Sequence, residues 1–99
     1  RKPSGVYCFP ILSDGSIDLE AGKTKPWAAV KAPDGIAIRR YRDVYFTAGG
    51  KVEVFDPYGR RRGQIKIPKG SGTNLCFDER GETLYITTWN GLYAVEIND

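Results

Sequence analysis

The sequence contains no histidine and no methionine among its 99 residues. Without histidine the commonest general base and the commonest zinc ligand are absent, so Ser-His and Cys-His nucleophile pairs are excluded. Since the chain begins with Arg1 and has no Met, we expect a processed or truncated product rather than a native start. The length suits one small domain and not two.

Cysteine is scarce, with only Cys8 and Cys76 in the whole sequence. Two cysteines exclude a framework of several disulfides and a four-cysteine zinc site. Each cysteine is flanked by apolar residues on both sides. This pattern predicts two buried thiols that pack as small hydrophobic side chains, rather than a disulfide or a reactive thiol.

The sequence also lacks long apolar runs and a strong charge of one sign. Lys and Arg number 15 against 12 Asp and Glu, and the net charge of +3 is too weak to indicate a nucleic-acid partner. The longest apolar run is far short of a membrane span. We therefore expect no nucleic acid, no membrane and a cytoplasmic location, without excluding the periplasm or secretion.

The chain reads as all-β. Its 12 glycines and 6 prolines interrupt every helical period, and short β-branched and aromatic runs lie between them. Gly49-Gly50 and Asn90-Gly91 are two-residue hairpin signals, because such turns need positive φ. Residues 20–33 are predicted to be irregular. The predicted strands are 5–11, 16–19, 35–39, 43–48, 51–55, 64–67, 73–77, 83–88 and 91–97.

An internal repeat with an offset of about 40 residues organises these strands. Val44-Tyr45-Phe46-Thr47 matches Leu84-Tyr85-Ile86-Thr87, and Ile36-Ala37-Ile38 matches Leu75-Cys76-Phe77. A four-strand unit repeated at this spacing is typical of β-propeller blades.

The repeat predicts one partial propeller region over residues 1–99, with antiparallel four-stranded blades. Residues 34–67 would form a complete blade, 73–97 most of a closing blade, and 5–19 the outer strands of a preceding blade. About two blades are fewer than the roughly 4 to 8 of known propellers. Three explanations stay open. Most blades of the propeller are missing from this sequence, several copies of the chain assemble into one propeller, or the chain is instead a small β-sandwich.

Several of these motifs are similar to those of the SMP-30/gluconolactonase family. Pro33-Asp34-Gly35-Ile36-Ala37-Ile38 resembles a recurrent inner-strand motif of that family, and the stretch 52–59 resembles its next hairpin. The order Thr73–Phe77, Thr83–Thr87 and Leu92–Val95 is similar to its closing blade. The resemblance covers residues 33 to 97 and places the chain at the C-terminal end of such an enzyme.

The resemblance implies a propeller of about six blades with a divalent metal, usually calcium, in its central tunnel. It implies hydrolysis of a small-molecule lactone or ester. The family's metal ligands are one Glu, two Asn and one Asp, and the Asp of its Pro-Asp-Gly motif falls on Asp34. No stretch of this chain matches the other ligands, so the resemblance carries over Asp34 alone. Pro-Asp-Gly is also a common turn sequence, which is the alternative interpretation.

Strand direction yields further candidates for substrate binding. In a meander, the start of the first strand lies at the same end of the sheet as the turn between the second and third strands. In a propeller the first strand of each blade is the inner one, so these strand starts and turns share one face. Asn74, Trp89 and Asn90 lie at such positions, where an exposed indole offers area for a ligand. The alternative, which we favour for the last two, is that Asn90 forms a turn and Trp89 packs between blades. For Asn74, a hydrogen bond at the start of its strand is equally compatible.

The densest charge, Arg60-Arg61-Arg62, falls at the outermost strand of the blade, where charged side chains prevent edge-to-edge pairing. Tyr45, Tyr85 and Tyr93 are expected to pack between blades.

Three functions stay open on the sequence alone. The first is that the chain is part of a metal-dependent lactone hydrolase, which the remaining blades of the same protein complete. Alternatively, further copies assemble with it into a closed ring. As a third possibility, it is a stand-alone all-β binding or structural domain without catalysis.

Overall fold

The computed structural model describes residues 5–21, 26–40 and 42–97. Seven β-strands form two antiparallel sheets, one of four strands and one of three. The described residues contain no helix, and therefore none that is long and apolar enough to cross a membrane. The all-β prediction is confirmed, while the assignment of the two sheets to blades of a propeller stays a prediction.

The first sheet is a meander in which each strand pairs with the next along the chain. Gly49 and Gly50 form the tight turn between its second and third strands, and Gly49 has φ 64°, as the turn prediction required. Its strands are β1 (Ile36–Ile38), β2 (Val44–Ala48), β3 (Lys51–Phe55) and β4 (Arg61–Lys66).

The second sheet repeats this meander without a fourth strand. Thr88 pairs with Gly91, so the turn residues are Trp89 and Asn90 rather than the predicted Asn90 and Gly91. Neither Asn90 nor Gly91 has positive φ, so that part of the turn prediction is wrong. Its strands are β5 (Gly72–Phe77), β6 (Thr83–Thr88) and β7 (Gly91–Glu96).

The N-terminal part differs most from the sequence prediction. Residues 5–11 and 16–19 form no regular strands and make only two isolated bridges among the described residues, Val6 with Ala28 and Ile11 with Ile17. Within the stretch predicted to be irregular, Ala28 and Val30 are buried against the first sheet. Burial of this segment depends on contacts with β2 and β3, which a local pattern does not encode.

The main core lies between the two sheets. Tyr45 of β2 packs edge-on against Phe77 of β5, with 4.8 Å between ring centroids, as predicted for a tyrosine between two sheets. Tyr93 also packs against this core. The fully or nearly fully buried members are Tyr45, Val52, Val54, Ile67, Leu75, Leu84 and Ile86. This shared core fixes how the two sheets sit against each other.

A second core covers the opposite face of the first sheet. The segment 26–30, called the covering segment below, lies on this face. Phe46 packs edge-on against Phe55 within the sheet and against Trp27 of the covering segment. Arg61 donates to the buried Glu53 and, at 3.3 Å, to the carbonyl of Ala29. The same arginine therefore anchors both the outer strand β4 and the covering segment.

The described residues leave the opposite face of the second sheet uncovered. Tyr85 is 38% exposed and Leu92 is 65% exposed on this face, so the expected burial of Tyr85 between blades does not occur in this chain. Both cysteines are free and exposed, so the prediction of two buried thiols is wrong. Cys76 alternates with the core residues Leu75 and Phe77, which places its thiol on the open face.

The basic run lies in and beside β4, the outer strand, as predicted. Each of its arginines has an acidic partner: Arg60 pairs with Asp56, Arg61 with Glu53, and Arg62 with Asp43. These pairs hold the outer edge to its own sheet.

Candidate functional site

Asp34 lies two residues before the start of β1, in a loop whose backbone is held by Thr47. The amide of Asp34 donates to the carbonyl of Thr47 at 2.9 Å, and the amide of Gly35 donates to Thr47 Oγ1 at 2.7 Å. Thr47 is fully buried. Its side chain and main chain therefore fix the position of Asp34 while the carboxylate stays exposed.

Gly35 brings the start of β1 against β5 of the other sheet. A Cβ atom at Gly35 would lie 2.8 Å from Asn74 Oδ1 and 2.9 Å from Asn74 Cα. Only glycine allows this approach without a shift of the backbone. The structure thus brings together Asp34 and Asn74, two residues that the sequence analysis selected from different repeats.

Asn74 is exposed, and its side chain is partly engaged. Its Oδ1 accepts a hydrogen bond from the amide of Leu75 at 2.9 Å, which is the alternative that the sequence left open. Beside it, the hydroxyls of Thr73 and Thr87 lie 2.9 Å apart. The surface next to Asp34, called the rim below and continued by the turn at Trp89 and Asn90, therefore carries amide and hydroxyl groups.

The hairpin turns share this face with the starts of β1 and β5. The amide of Gly72, the first residue of β5, donates to the carbonyl of Gly49 at 2.9 Å, which joins the start of β5 and the loop that leads into it to the first sheet's turn. A Cβ atom at Gly70 would lie 3.6 Å from Asn90 Oδ1, so this loop also reaches the second sheet's turn. The predicted common face is therefore present.

Trp89 is 86% exposed at this face, so it does not pack between these two sheets, and its packing against a further blade stays a prediction. Asn90 does occupy the hairpin turn. Its amide and that of Gly91 both donate to Thr88 Oγ1, at 3.2 and 3.1 Å. Whether Trp89 and Asn90 contact a substrate stays a prediction.

The kinds of oxygen that Asp34 and Asn74 carry fit part of a hard-cation site. Carboxylate and amide oxygens are the ligands that calcium prefers, and it takes about six to eight of them. Asp34 makes no side-chain hydrogen bond or ion pair with the described part of the chain, so its carboxylate is available to a ligand. Within that same part, no group of three or more Cys, Asp or Glu residues is placed to hold a metal.

A groove of about 650 Å³ runs between β1 and β5, beyond Asp34 along the strands. Apolar side chains of Ile36 and Ile38 line one wall, and Leu75 and Phe77 line the other. Arg40, Asp78 and Glu79 lie where the two strands end. The groove is therefore apolar along its length and charged at the end opposite Asp34.

Three other aspartates are committed to turns. A hydrogen bond from the Ser16 side chain lowers the pKa of Asp14, and one from the Arg60 amide lowers that of Asp56. The amides of Thr83 and Glu82 likewise lower the pKa of Asp78. These carboxylates have structural partners, in contrast to Asp34.

Sequence reasoning did not identify Thr47. The residue reads as an ordinary β-branched strand residue in Val44–Ala48, and its side-chain hydrogen bond to the Gly35 amide spans 12 residues. The one available signal was the matching Thr87 at the same position of the repeat.

Comparisons with known proteins agree with the resemblance seen in the sequence. The model of the SMP-30/Gluconolactonase/LRE-like region matches residues 13–90. A protein named gluconolactonase from Zymomonas mobilis subsp. mobilis is 33% identical over 64 residues, which is 64% of this chain and 18% of that protein. The chain thus spans less than a fifth of the length of this relative. No solved structure matches. Since the family model matches well over half of the chain, the protein belongs to the SMP-30/gluconolactonase/LRE-like family.

Proposed function

We propose that this chain is the C-terminal portion of a metal-dependent lactone or ester hydrolase of gluconolactonase type. Membership of the family is the observation that carries the proposal, together with the similarity to a gluconolactonase. The small-molecule substrate would be a lactone or another ester. The activity belongs to the protein completed by its remaining blades, because this chain spans 18% of the gluconolactonase that it matches.

Asp34 is the proposed ligand of a divalent metal, most simply Ca²⁺. The placement of its exposed carboxylate by Thr47 supports this role, because a fixed backbone limits the motion of a ligand. The side-chain amide oxygen of Asn74 is a further candidate ligand, because it lies beside Gly35, the neighbour of Asp34. When bound, such a metal polarises a carbonyl and lowers the pKa of a bound water.

The proposed roles of the remaining rim residues follow from their exposure. Trp89 presents an apolar surface against which a sugar-like or apolar ligand packs. Asn74 and Asn90 offer amide groups that donate to or accept from substrate oxygens.

The open face of the second sheet supports the need for further blades. By the internal repeat, its exposed positions correspond to positions of the first sheet that face the core between the sheets. A face of this kind is suited to packing against another sheet, from the remaining blades or from a further copy. The corresponding positions are Ala37 with Cys76, Tyr45 with Tyr85, Thr47 with Thr87, and Val52 with Leu92.

Lactone hydrolysis by the completed propeller tests the proposal. We expect acid release from a sugar lactone, loss of this activity on chelation of the metal, and recovery with Ca²⁺. Asp34→Asn should lower the rate by at least roughly tenfold, because a neutral amide replaces the charged ligand. Glu96→Gln, the same change at an exposed strand position, is the matched control. Full activity of Asp34→Asn would contradict the assignment of Asp34, and no lactonase activity in the wild type would contradict the function.

A further inference from the structure

Asn90 and Gly91 form the one Asn-Gly pair in the sequence, and both residues are exposed. Asn90 is the second residue of the two-residue turn between β6 and β7. Glycine after asparagine leaves the backbone nitrogen sterically open to the side-chain amide. This nitrogen can therefore reach the Asn90 Cγ atom once the turn rearranges locally.

Thr88 restrains the same nitrogen. The Gly91 amide donates to Thr88 Oγ1 at 3.1 Å, and the Asn90 amide donates to the same oxygen at 3.2 Å. The Thr88 hydroxyl in turn donates to the carbonyl of Gly91 at 3.3 Å. An amide that donates a hydrogen bond is harder to deprotonate, and its position is fixed relative to the neighbouring side chain.

We propose that Asn90 is a site of spontaneous deamidation, and that the hydroxyl of Thr88 slows this reaction. The Gly91 nitrogen loses its proton and attacks Asn90 Cγ, a C–N bond forms, and ammonia leaves. Water then opens the cyclic imide at either carbonyl, which yields aspartate or isoaspartate at position 90. No oxidant, reductant or cofactor takes part.

The reaction changes the candidate rim. It places a negative charge at a position where the structure has a neutral amide over the Gly70 loop. The isoaspartate product also adds a methylene to the main chain of a two-residue turn, which displaces the pairing of Thr88 with Gly91. Deamidation therefore alters both the charge and the geometry of the turn that carries Trp89.

Mass spectrometry of the folded chain during incubation at neutral pH tests the proposal. We expect conversion at Asn90, with the mass change of amide to acid and an isoaspartate fraction. Asn74 serves as an internal reference that stays unchanged, because leucine follows it and its Oδ1 accepts from the Leu75 amide. No conversion at Asn90 over a time in which a free Thr-Trp-Asn-Gly-Leu peptide reacts fully would overturn the assignment of the site.

Two variants isolate the role of Thr88. Thr88→Val keeps the β-branched shape but removes the acceptor, so we expect deamidation roughly two- to tenfold faster, the effect of losing one neutral hydrogen bond. Thr88→Ser keeps the hydroxyl and should react near the wild-type rate. Circular dichroism confirms that each variant is folded, and the free peptide gives the rate without the fold. Equal rates for Thr88→Val and wild type would overturn the protective role.

Discussion

Gly35 and Asn74 touch across the two sheets, so closely that a single added carbon at Gly35 would lie 2.9 Å from Asn74 Cα. This contact places Asp34, the neighbour of Gly35, beside the other candidate site residue of the same face. The relative position of the two sheets at the site therefore depends on a residue without a side chain.

Gly35→Ala should separate the sheets at this point. We expect a loss of about 1–3 kcal/mol in the free energy of unfolding, because the contact with backbone atoms leaves no room for a methyl group. Urea denaturation measures the loss. Gly63→Ala is the matched control, since a Cβ atom there meets nothing within 4 Å and the change should be close to neutral. Equal stability of the two variants would show that the sheets do not meet at Gly35.

Leu84 and Leu92 test which face of the second sheet is buried. Leu84 is completely buried between the sheets, whereas Leu92 is 65% exposed on the open face. Leu84→Ala should cost about 2–5 kcal/mol of unfolding free energy. In the isolated chain as a monomer, where the open face has no further sheet against it, Leu92→Ala should change it by no more than about 0.5 kcal/mol. A larger loss at Leu92 than at Leu84 in urea denaturation would mean that the packing is reversed.

Acid should destabilise the chain through its turn aspartates. Hydrogen bonds lower the pKa of Asp78, as they lower those of Asp14 and Asp56, so the folded state binds these protons more weakly than the unfolded state. The resulting stability is present above the usual carboxyl pKa of about 4 and is lost as the pH falls through the lower folded value.

Asp78→Asn removes one of these titrating groups but keeps an oxygen that accepts the amides of Glu82 and Thr83. We expect a smaller loss of stability between mildly acidic and strongly acidic pH than in the wild type, measured by thermal unfolding across that range. Glu96→Gln is the control, because this exposed strand carboxylate has no hydrogen bond in the described part of the chain. An unchanged pH profile for Asp78→Asn would contradict the role of this turn.

The sequence was sufficient for most of the strands of both sheets and for their pairing, because turn residues and alternation are local signals, although β4 begins at Arg61 rather than at the predicted residue 64. In β2, for example, Val44 and Phe46 face one core and Tyr45 faces the other, as a two-residue period requires. The same logic failed at Cys76. Leu75, Cys76 and Phe77 are consecutive apolar residues of its strand, so a period of two does not say which face a neighbouring sheet covers.

The candidate site was only partly predictable. Asp34, Asn74 and the turn at Trp89 and Asn90 were selected from motif and strand direction, and the structure places them on one face. The support that Thr47 provides and the contact at Gly35 were not predicted. Both depend on which residues meet across sheets, and that is set by packing over the whole chain rather than by local pattern.

Calcium binding by the completed propeller tests the central claim most directly. Isothermal titration of the wild type and of Asp34→Asn, with Glu96→Gln as the control, compares the affinities in one experiment. We predict a single strong site in the wild type and the control, and a loss of affinity of at least roughly tenfold in Asp34→Asn, because a charged oxygen ligand is removed. An unchanged calcium affinity in Asp34→Asn would contradict the account.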